Sequence, residues 1–401
     1  MEKNIVKDRI ANLIIDFCYS SMSLIIMNII LQFIIYPYIS DQVGETEFGI
    51  IITLISVVIM CATTFGSSLN YSRVVQHSEG KDSNSDYNIL LLAFCFIAFI
   101  ISIIVIKHYY VFNVYNVLLC FLLISFTIIR YYADVEYRIN LNYKGYFLYY
   151  LLISAGYCVG LLLYNLLKSW FLVIIVGELF AIIFVKINGK IFDRPFFKKS
   201  ENFSENTKYT LTLVVANFIE TILGNIDKII ILTFIGAKDV TIFYVATLLG
   251  KTASLITSPL NTVIISHIVK IKSKMDKRVF IKILFVLILV VILLTFITTA
   301  ASYILLKFLY RNVFDEAKKY FIIGNLGQIL NFIAITIMVI ILKFVDKKYQ
   351  IYVNLIHLLF FALIVIPLAI YYGIIGVIYG LLIANAIKFI LASLIGLIKI
   401  E

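Results

Sequence analysis

Charged residues are scarce. Asp, Glu, Lys and Arg make up 14% of the 401 residues, against roughly 25% in an ordinary soluble domain. A chain this poor in charge cannot cover a globular surface in water, which excludes a soluble fold. Histidine is rarer still, at positions 77, 108, 267 and 357, and none stands in an HExxH or similar spacing. No protein-bound metal is therefore expected. Cys18, Cys61, Cys95, Cys120 and Cys158 stand singly in apolar runs without a CxxC pair. They read as small buried hydrophobes, not as a disulfide frame. No catalytic signature occurs, so neither a catalytic residue nor a cofactor is expected.

Apolar sequence is what the chain has in abundance. Hydrophobic residues are 62% of it, with a mean hydropathy of +1.02. Runs of about 18 or more apolar residues recur from end to end, the signature of membrane-spanning helices. They predict an all-α polytopic membrane protein with about twelve spans, at 10–36, 46–71, 87–107, 112–133, 145–166, 169–186, 209–235, 241–267, 280–306, 318–343, 350–371 and 374–398. The first run continues to Tyr36 with no small-residue cleavage site after a short core, and is expected to be an uncleaved span.

The +11 net charge suggests nucleic acid until the basic residues are sorted by connector. The N-terminus, the C-terminus and the even-to-odd connectors carry 24 of the 34 Lys and Arg; the opposite connectors carry 7. The positive-inside rule then puts both termini in the cytoplasm. The charge becomes orientation signal and attraction to a lipid surface, and no nucleic acid is expected. Trp170 beside Lys168, with the runs KHYYVFNVY and YKGYFLYY, fits interfacial aromatic belts.

The longest basic connector, KINGKIFDRPFFKKSENFSENTK (186–208), divides the spans six and six. The expected domains are 1–200, with the cytoplasmic connector beginning near 186, and 201–401. YISDQVGETEFGIIITLIS (38–56), after the first span, is echoed by FIGAKDVTIFYVATLLG (234–250), after the seventh. Repeats of this type are typical of secondary transporters, whose substrate site lies between the halves.

Charges inside the spans are the candidate functional residues. On a helix at about 100° per residue, Asn217, Glu220, Thr221, Gly224, Asn225, Asp227 and Lys228 share one arc of about 160°. The next span gathers Thr247, Gly250, Lys251, Ser254, Ser258, Asn261 and Thr262 into a second polar face. The second span does likewise with Thr53, Ser56, Thr63, Ser67, Asn70 and Tyr71. Small and hydroxyl residues alone fit helix packing. An ionisable group at mid-membrane costs about 2.5–3.5 kcal/mol, and Glu220, Lys251 and Lys388 lie deep in their spans. A polar cavity is the economical account. Lys251, Lys388, Lys228 and Arg73 are its candidate anion-binding residues; Glu220, Asp227, Glu178 and Asp16 are candidate proton or sodium sites. Alternatives stand beside these. Asp227 and Lys228 suit a structural ion pair equally well, Lys388 suits pairing with Glu178 or another acid, and Arg73 suits positive-inside placement. Arg130, Asp134 and Arg138, spaced i, i+4 and i+8, suit a salt-bridged cytoplasmic helix end.

One stretch resembles a known family. YPYISDQVGETEFGIIITLISVVIMCATTFGSSLNYSRVVQ (36–76), with Pro37, Gly44, Phe48-Gly49, Gly66 and Arg73, resembles the opening two-span pattern of bacterial O-antigen and polysaccharide flippases. NIDKIIILTFIGAKDVTIFYVATLLGK (225–251) is similar to the family's Asp-basic pair, Asp227-Lys228, and its Tyr-Val-Ala, Tyr244-Val245-Ala246. Phe243 stands where the family often has glycine. The resemblance implies membership of the multidrug/oligosaccharidyl-lipid/polysaccharide exporter superfamily, with two six-helix bundles around a central cavity. It further implies movement of an undecaprenyl-pyrophosphate-linked oligosaccharide, an O-antigen or capsule repeat unit, across the bacterial inner membrane by alternating access. Membrane lipids, H+ or Na+ as coupling ion, and other polysaccharide-assembly proteins are the partners it implies.

Two other functions compete. A polysaccharide polymerase or ligase generally needs a sizeable extracytoplasmic loop, and the longest outer connector is about a dozen residues around KFLYRNVFDEAKK, so an enzyme is not expected. A drug/cation antiporter of the same superfamily favours an acidic, aromatic cavity, which Lys228, Lys251 and Lys388 argue against.

Overall fold

The computed structural model describes residues 16, 18–270, 275–341, 344–346 and 348–400, and side chains outside 255–270. The described residues are helical with short connectors and contain no strand. Twelve helices follow one another: α1 Cys18–Val43, α2 Glu45–Ser78, α3 Asn84–Tyr109, α4 Val114–Ile139, α5 Tyr143–Leu167, α6 Trp170–Asn188, α7 Phe203–Phe234, α8 Ala237–Lys270, α9 Lys277–Leu309, α10 Arg311–Ile341, then α11 (348–372) and α12 (374–399). The last two form one helical stretch, Lys348–Lys399, bent at Gly373. There φ is +60 and ψ −143, a conformation open to glycine and strained for any other residue. Nine helical stretches among the described residues are long and apolar enough to cross a membrane, counting α11–α12 as one. Wherever their residues are described, the expected spans fall on helices, and the protein is an all-α multi-pass membrane protein.

The chain divides into two compact units: Met1–Ile39 with Thr53–Ile226, and Ser40–Ile52 with Asp227–Glu401. In the first, α6 packs on α5 and α4, and α3 on α4. Gly156 and Gly160, a GxxxG pair on α5, let α6 come close. A Cβ on Gly156 would stand 2.7 Å from the Cα of Gly177, and one on Gly160 2.5 Å from the Val173 carbonyl oxygen. In the second unit, α10 packs on α8, α9 and α12, and α11 on α12. Phe280, Leu284, Ile329, Phe332, Ile337, Val353 and Ala392 form its apolar core.

Trp170 departs from the expected interfacial belt. It is 2% exposed and stacks on Phe171 at 3.9 Å. The lysines and arginines of the N-terminus (3, 7 and 9), with 272, 274, 343 and 347, lie outside the described residues.

Candidate functional site

The two echoed sequence segments meet in the second unit. Gly49 of α2 sits against α8 so closely that a Cβ there would lie 1.8 Å from the Ala237 carbonyl oxygen. The crossing is sealed on both sides. Thr241 donates its hydroxyl to the Glu45 carbonyl at 2.6 Å, and Phe48 packs edge-on against Tyr244 at 5.9 Å, with Tyr310 completing the ring cluster. Lys238 bridges Glu45 at 3.0 Å and Glu316 at 2.7 Å. Phe-Gly and Tyr-Val-Ala are thus the two halves of one helix crossing, and buried Phe243 extends it.

That crossing orients α8, and α8 brings Lys251 beside the end of α7. Asp227 and Lys228 are both buried; Lys228 Nζ donates to Asp227 Oδ1 at 3.1 Å, and the Lys228 amide donates to the same oxygen at 2.9 Å. Lys251, half-buried, lies within electrostatic reach of both. Of the rest of the polar face of α8, Ser258, Asn261 and Thr262 lie outside the described side chains.

A second polar cluster of this unit joins α10, α11 and α12. Lys388 Nζ donates to Asn331 Oδ1 at 2.9 Å. Asn385 donates its amide to the Gly327 carbonyl at 3.0 Å, which leaves its oxygen to accept from His357 Nε2, also at 3.0 Å. His357, Asn385 and Lys388 are all buried. Sequence reasoning had found Lys388 alone. Asn385 was findable, because i and i+3 share a helix face; His357 was not, because only tertiary packing brings it there.

The remaining candidates lie in the first unit, where several buried charges are paired. Arg130 Nε donates to Glu178 Oε2 at 2.7 Å, and Tyr157 donates to the other carboxylate oxygen at 3.1 Å. The close approach of α5 and α6 puts Tyr157 and Glu178 side by side. The Arg130 guanidinium also lies over Tyr131 at 4.2 Å. Arg138 alone joins Asp134, at 3.0 Å, and Tyr150 donates to that carboxylate at 2.9 Å. Arg130 thus leaves the expected helical ladder for a partner 48 residues away. The pairing of Lys388 with Glu178 is replaced by Lys388–Asn331 and Arg130–Glu178.

Arg73 is 5% exposed and saturated: it pairs with Asp82 at 3.3 Å, donates to Asn84 and Tyr132, and lies over Tyr87 at 5.4 Å. Glu220 is exposed on α7, and Asp16 is half-buried. Among the described residues no cluster of His, Cys, Asp and Glu could hold a metal ion.

No protein-family model matches the chain, and no curated protein matches it. Solved structures do. An outward-facing multidrug resistance MATE family transporter of the MOP superfamily aligns with a TM-score of 0.64 at 13% identity, over 96% of this chain and 95% of that one. The lipid II flippase MurJ in an inward closed conformation aligns at 0.63 and 14%, over 94% and 86%. A MOP superfamily transporter from Pyrococcus furiosus, described as having a binding pocket of reverse polarity, aligns at 0.63 and 13%, over 96% and 95%. The fold is that of MOP-superfamily transporters.

Proposed function

We propose that the chain is a flippase that moves an undecaprenyl-pyrophosphate-linked oligosaccharide, an O-antigen or capsule repeat unit, from the cytoplasmic to the outer leaflet of a bacterial inner membrane. Both termini are cytoplasmic in this reading, as the distribution of Lys and Arg requires. One observation carries it: Lys228 pairs with Asp227 inside a membrane protein, and Lys251 lies within electrostatic reach of both. Two lysines gathered at one place give a basic site, which suits a pyrophosphate head group. Lys251 is the group for the substrate, because it alone of the three keeps exposed surface. Asp227 and Lys228 hold the position behind it. Likeness in fold to a lipid II flippase agrees with a lipid-linked cargo. The exposed carboxylate of Glu220 is the coupling acid in this scheme, taking H+ or Na+.

Multidrug transport is the competing reading, since MATE transporters share the fold. The same three residues discriminate, because a cationic drug would be repelled by the lysine excess. The test is transport of a fluorescent pyrophosphate-linked oligosaccharide lipid in proteoliposomes. A charge-assisted hydrogen bond is worth about 1.5–3 kcal/mol, so Lys251→Ala should weaken substrate affinity roughly 10- to 150-fold, and Lys251→Arg should keep most of it. Unchanged affinity in Lys251→Ala refutes the proposal. Efflux of a cationic dye that improves in that variant establishes the multidrug reading.

A further inference from the structure

The connector between α6 and α7 is fixed at both ends and exposed between them. At its start, Glu136 accepts from the amides of Lys190 and Ile191 at 2.9 and 3.1 Å, and Asn84 donates to the Lys190 carbonyl at 2.8 Å. Phe192 packs edge-on against Tyr132. At its far end, fully buried Asp86 accepts from the Ser200 amide at 2.9 Å, the Ser200 hydroxyl at 2.5 Å and Asn206 at 2.9 Å. Between these clamps every residue of 193–199, Asp-Arg-Pro-Phe-Phe-Lys-Lys, is exposed.

Phe197 is 69% exposed and Phe196 37%. Loops in water do not ordinarily display two adjacent phenylalanines, and here the display is held in place. Lys186 ties the segment down by donating to the Phe192 carbonyl at 3.1 Å, and its ammonium lies 5.7 Å over the Phe196 ring. Five basic residues stand against one acid over 186–199. The segment leaves directly from the end of α6, a helix fit to span the membrane, so it lies at headgroup level. It also lies on the face that carries most of the Lys and Arg.

We propose that 193–199 is a lipid-docking finger: Phe196 and Phe197 enter the interfacial layer, and Arg194, Lys198 and Lys199 bind the anionic phospholipid headgroups of the leaflet that the connector faces. Apolar side chains such as Phe bury at the headgroup–acyl boundary when basic residues flank them, and basic side chains close to a membrane surface gain from its negative potential. The finger holds the connector against the membrane whatever the substrate is, so it does not depend on the flippase reading.

The test places an indole at the tip. Trp170 is the one tryptophan, and its Nε1 has no hydrogen-bond partner among the described residues, so Trp170→Phe clears the background at small cost. Full-length Phe197→Trp/Trp170→Phe protein goes into nanodiscs of phosphatidylcholine with phosphatidylglycerol, with bromine on one lipid or the other. Brominated phosphatidylglycerol should quench the new indole more than brominated phosphatidylcholine. Each Lys or Arg is worth roughly fivefold in anionic-lipid preference, so adding Arg194→Gln, Lys198→Gln and Lys199→Gln should remove the difference. If Trp170→Phe fails to fold, the same difference is read between Phe197→Trp and Phe197→Ser with Trp170 retained. Absent quenching, equal quenching by the two lipids, or a preference that survives the triple change overturns the proposal. An indole protected by an acidic soluble protein instead of by lipid assigns the finger to that partner and overturns it equally.

Discussion

Removing the Glu178 carboxylate should destabilise the first unit. Glu178 has a side chain 1% exposed and Arg130 one 7% exposed, with 2.7 Å between them. Replacing Glu178 with alanine strands a guanidinium in an apolar interior and frees the Tyr157 hydroxyl from its acceptor. Breaking one side of a buried pair costs about 3–5 kcal/mol. Arg130 keeps only its contact with the Tyr131 ring, which is worth about 0.5–2 kcal/mol and was present before the change. The net loss thus stays near the full value, which corresponds to a Tm lowered by roughly 5–15 °C. Glu178→Gln keeps an acceptor for Tyr157 and should lose less. Arg130→Met/Glu178→Met removes both charges and should restore most of the stability, because burying a well-packed apolar pair is often neutral against burying ions. The assay is thermal unfolding in one detergent for the parent, Glu178→Ala, Glu178→Gln, Arg130→Met, Glu178→Met and the double methionine variant, the last three read with the parent as a double-mutant cycle. Glu178→Ala melting at the parental temperature, or single effects that simply add, would refute the reasoning. So would a Glu178→Gln protein of unchanged Tm whose transport no longer depends on H+ or Na+.

Two further perturbations probe the elements around the sites. Gly49→Ala puts a methyl 1.8 Å from the Ala237 carbonyl oxygen, and overpacking against backbone costs about 1–3 kcal/mol or more; it should lower the Tm and the transport rate together, and a normal protein would show that α2 and α8 do not cross so closely. Asp86→Ala takes the acceptor from the Ser200 amide and hydroxyl, while Asn206 keeps the Lys81 carbonyl; a buried donor so orphaned costs about 1–3 kcal/mol, so the far clamp of the connector should open. Trypsin should then cut after Lys198 and Lys199 several times faster, and an unaltered cleavage rate would mean that Asp86 does not hold that end.

Hydropathy made the helices legible because a membrane demands long apolar runs whatever packs against them. The break between the last two expected spans was legible for the same reason, since apolar sequence from 350 to 398 exceeds what one crossing accommodates; that a single bend at Gly373 makes it came from the fold. Charge pairing was less so. The i, i+4 rule assigns Arg130 to Asp134 because it sees one helix, and the actual partner, Glu178, comes from another. Helical projection put Glu220, Asp227 and Lys228 on one face, but the protein exposes the first and buries the other two. Periodicity gives direction around an axis and not what the direction meets. Phe-Gly and Tyr-Val-Ala were legible as an echo of one another, but that they pack together came only from the fold; and nothing pointed to a lone histidine such as His357.

The single-residue elbow at Gly373 acts as a vernier for the pair of helices it joins. Leu368 meets Gly376, Val365 meets Gly380, and His357 meets Asn385, so each contact is aligned by counting outward from one fixed point. With no slack at the turn, α11 and α12 cannot slide past each other along their axes; they can only splay or close like the arms of a compass. One residue inserted after Gly373 would rotate α12 by about 100° and carry Asn385 and Lys388 away from His357 and Asn331 together. Any motion that alters this polar cluster must therefore be a change of angle, which grows with distance from the elbow and is felt at Lys388, about midway along α12.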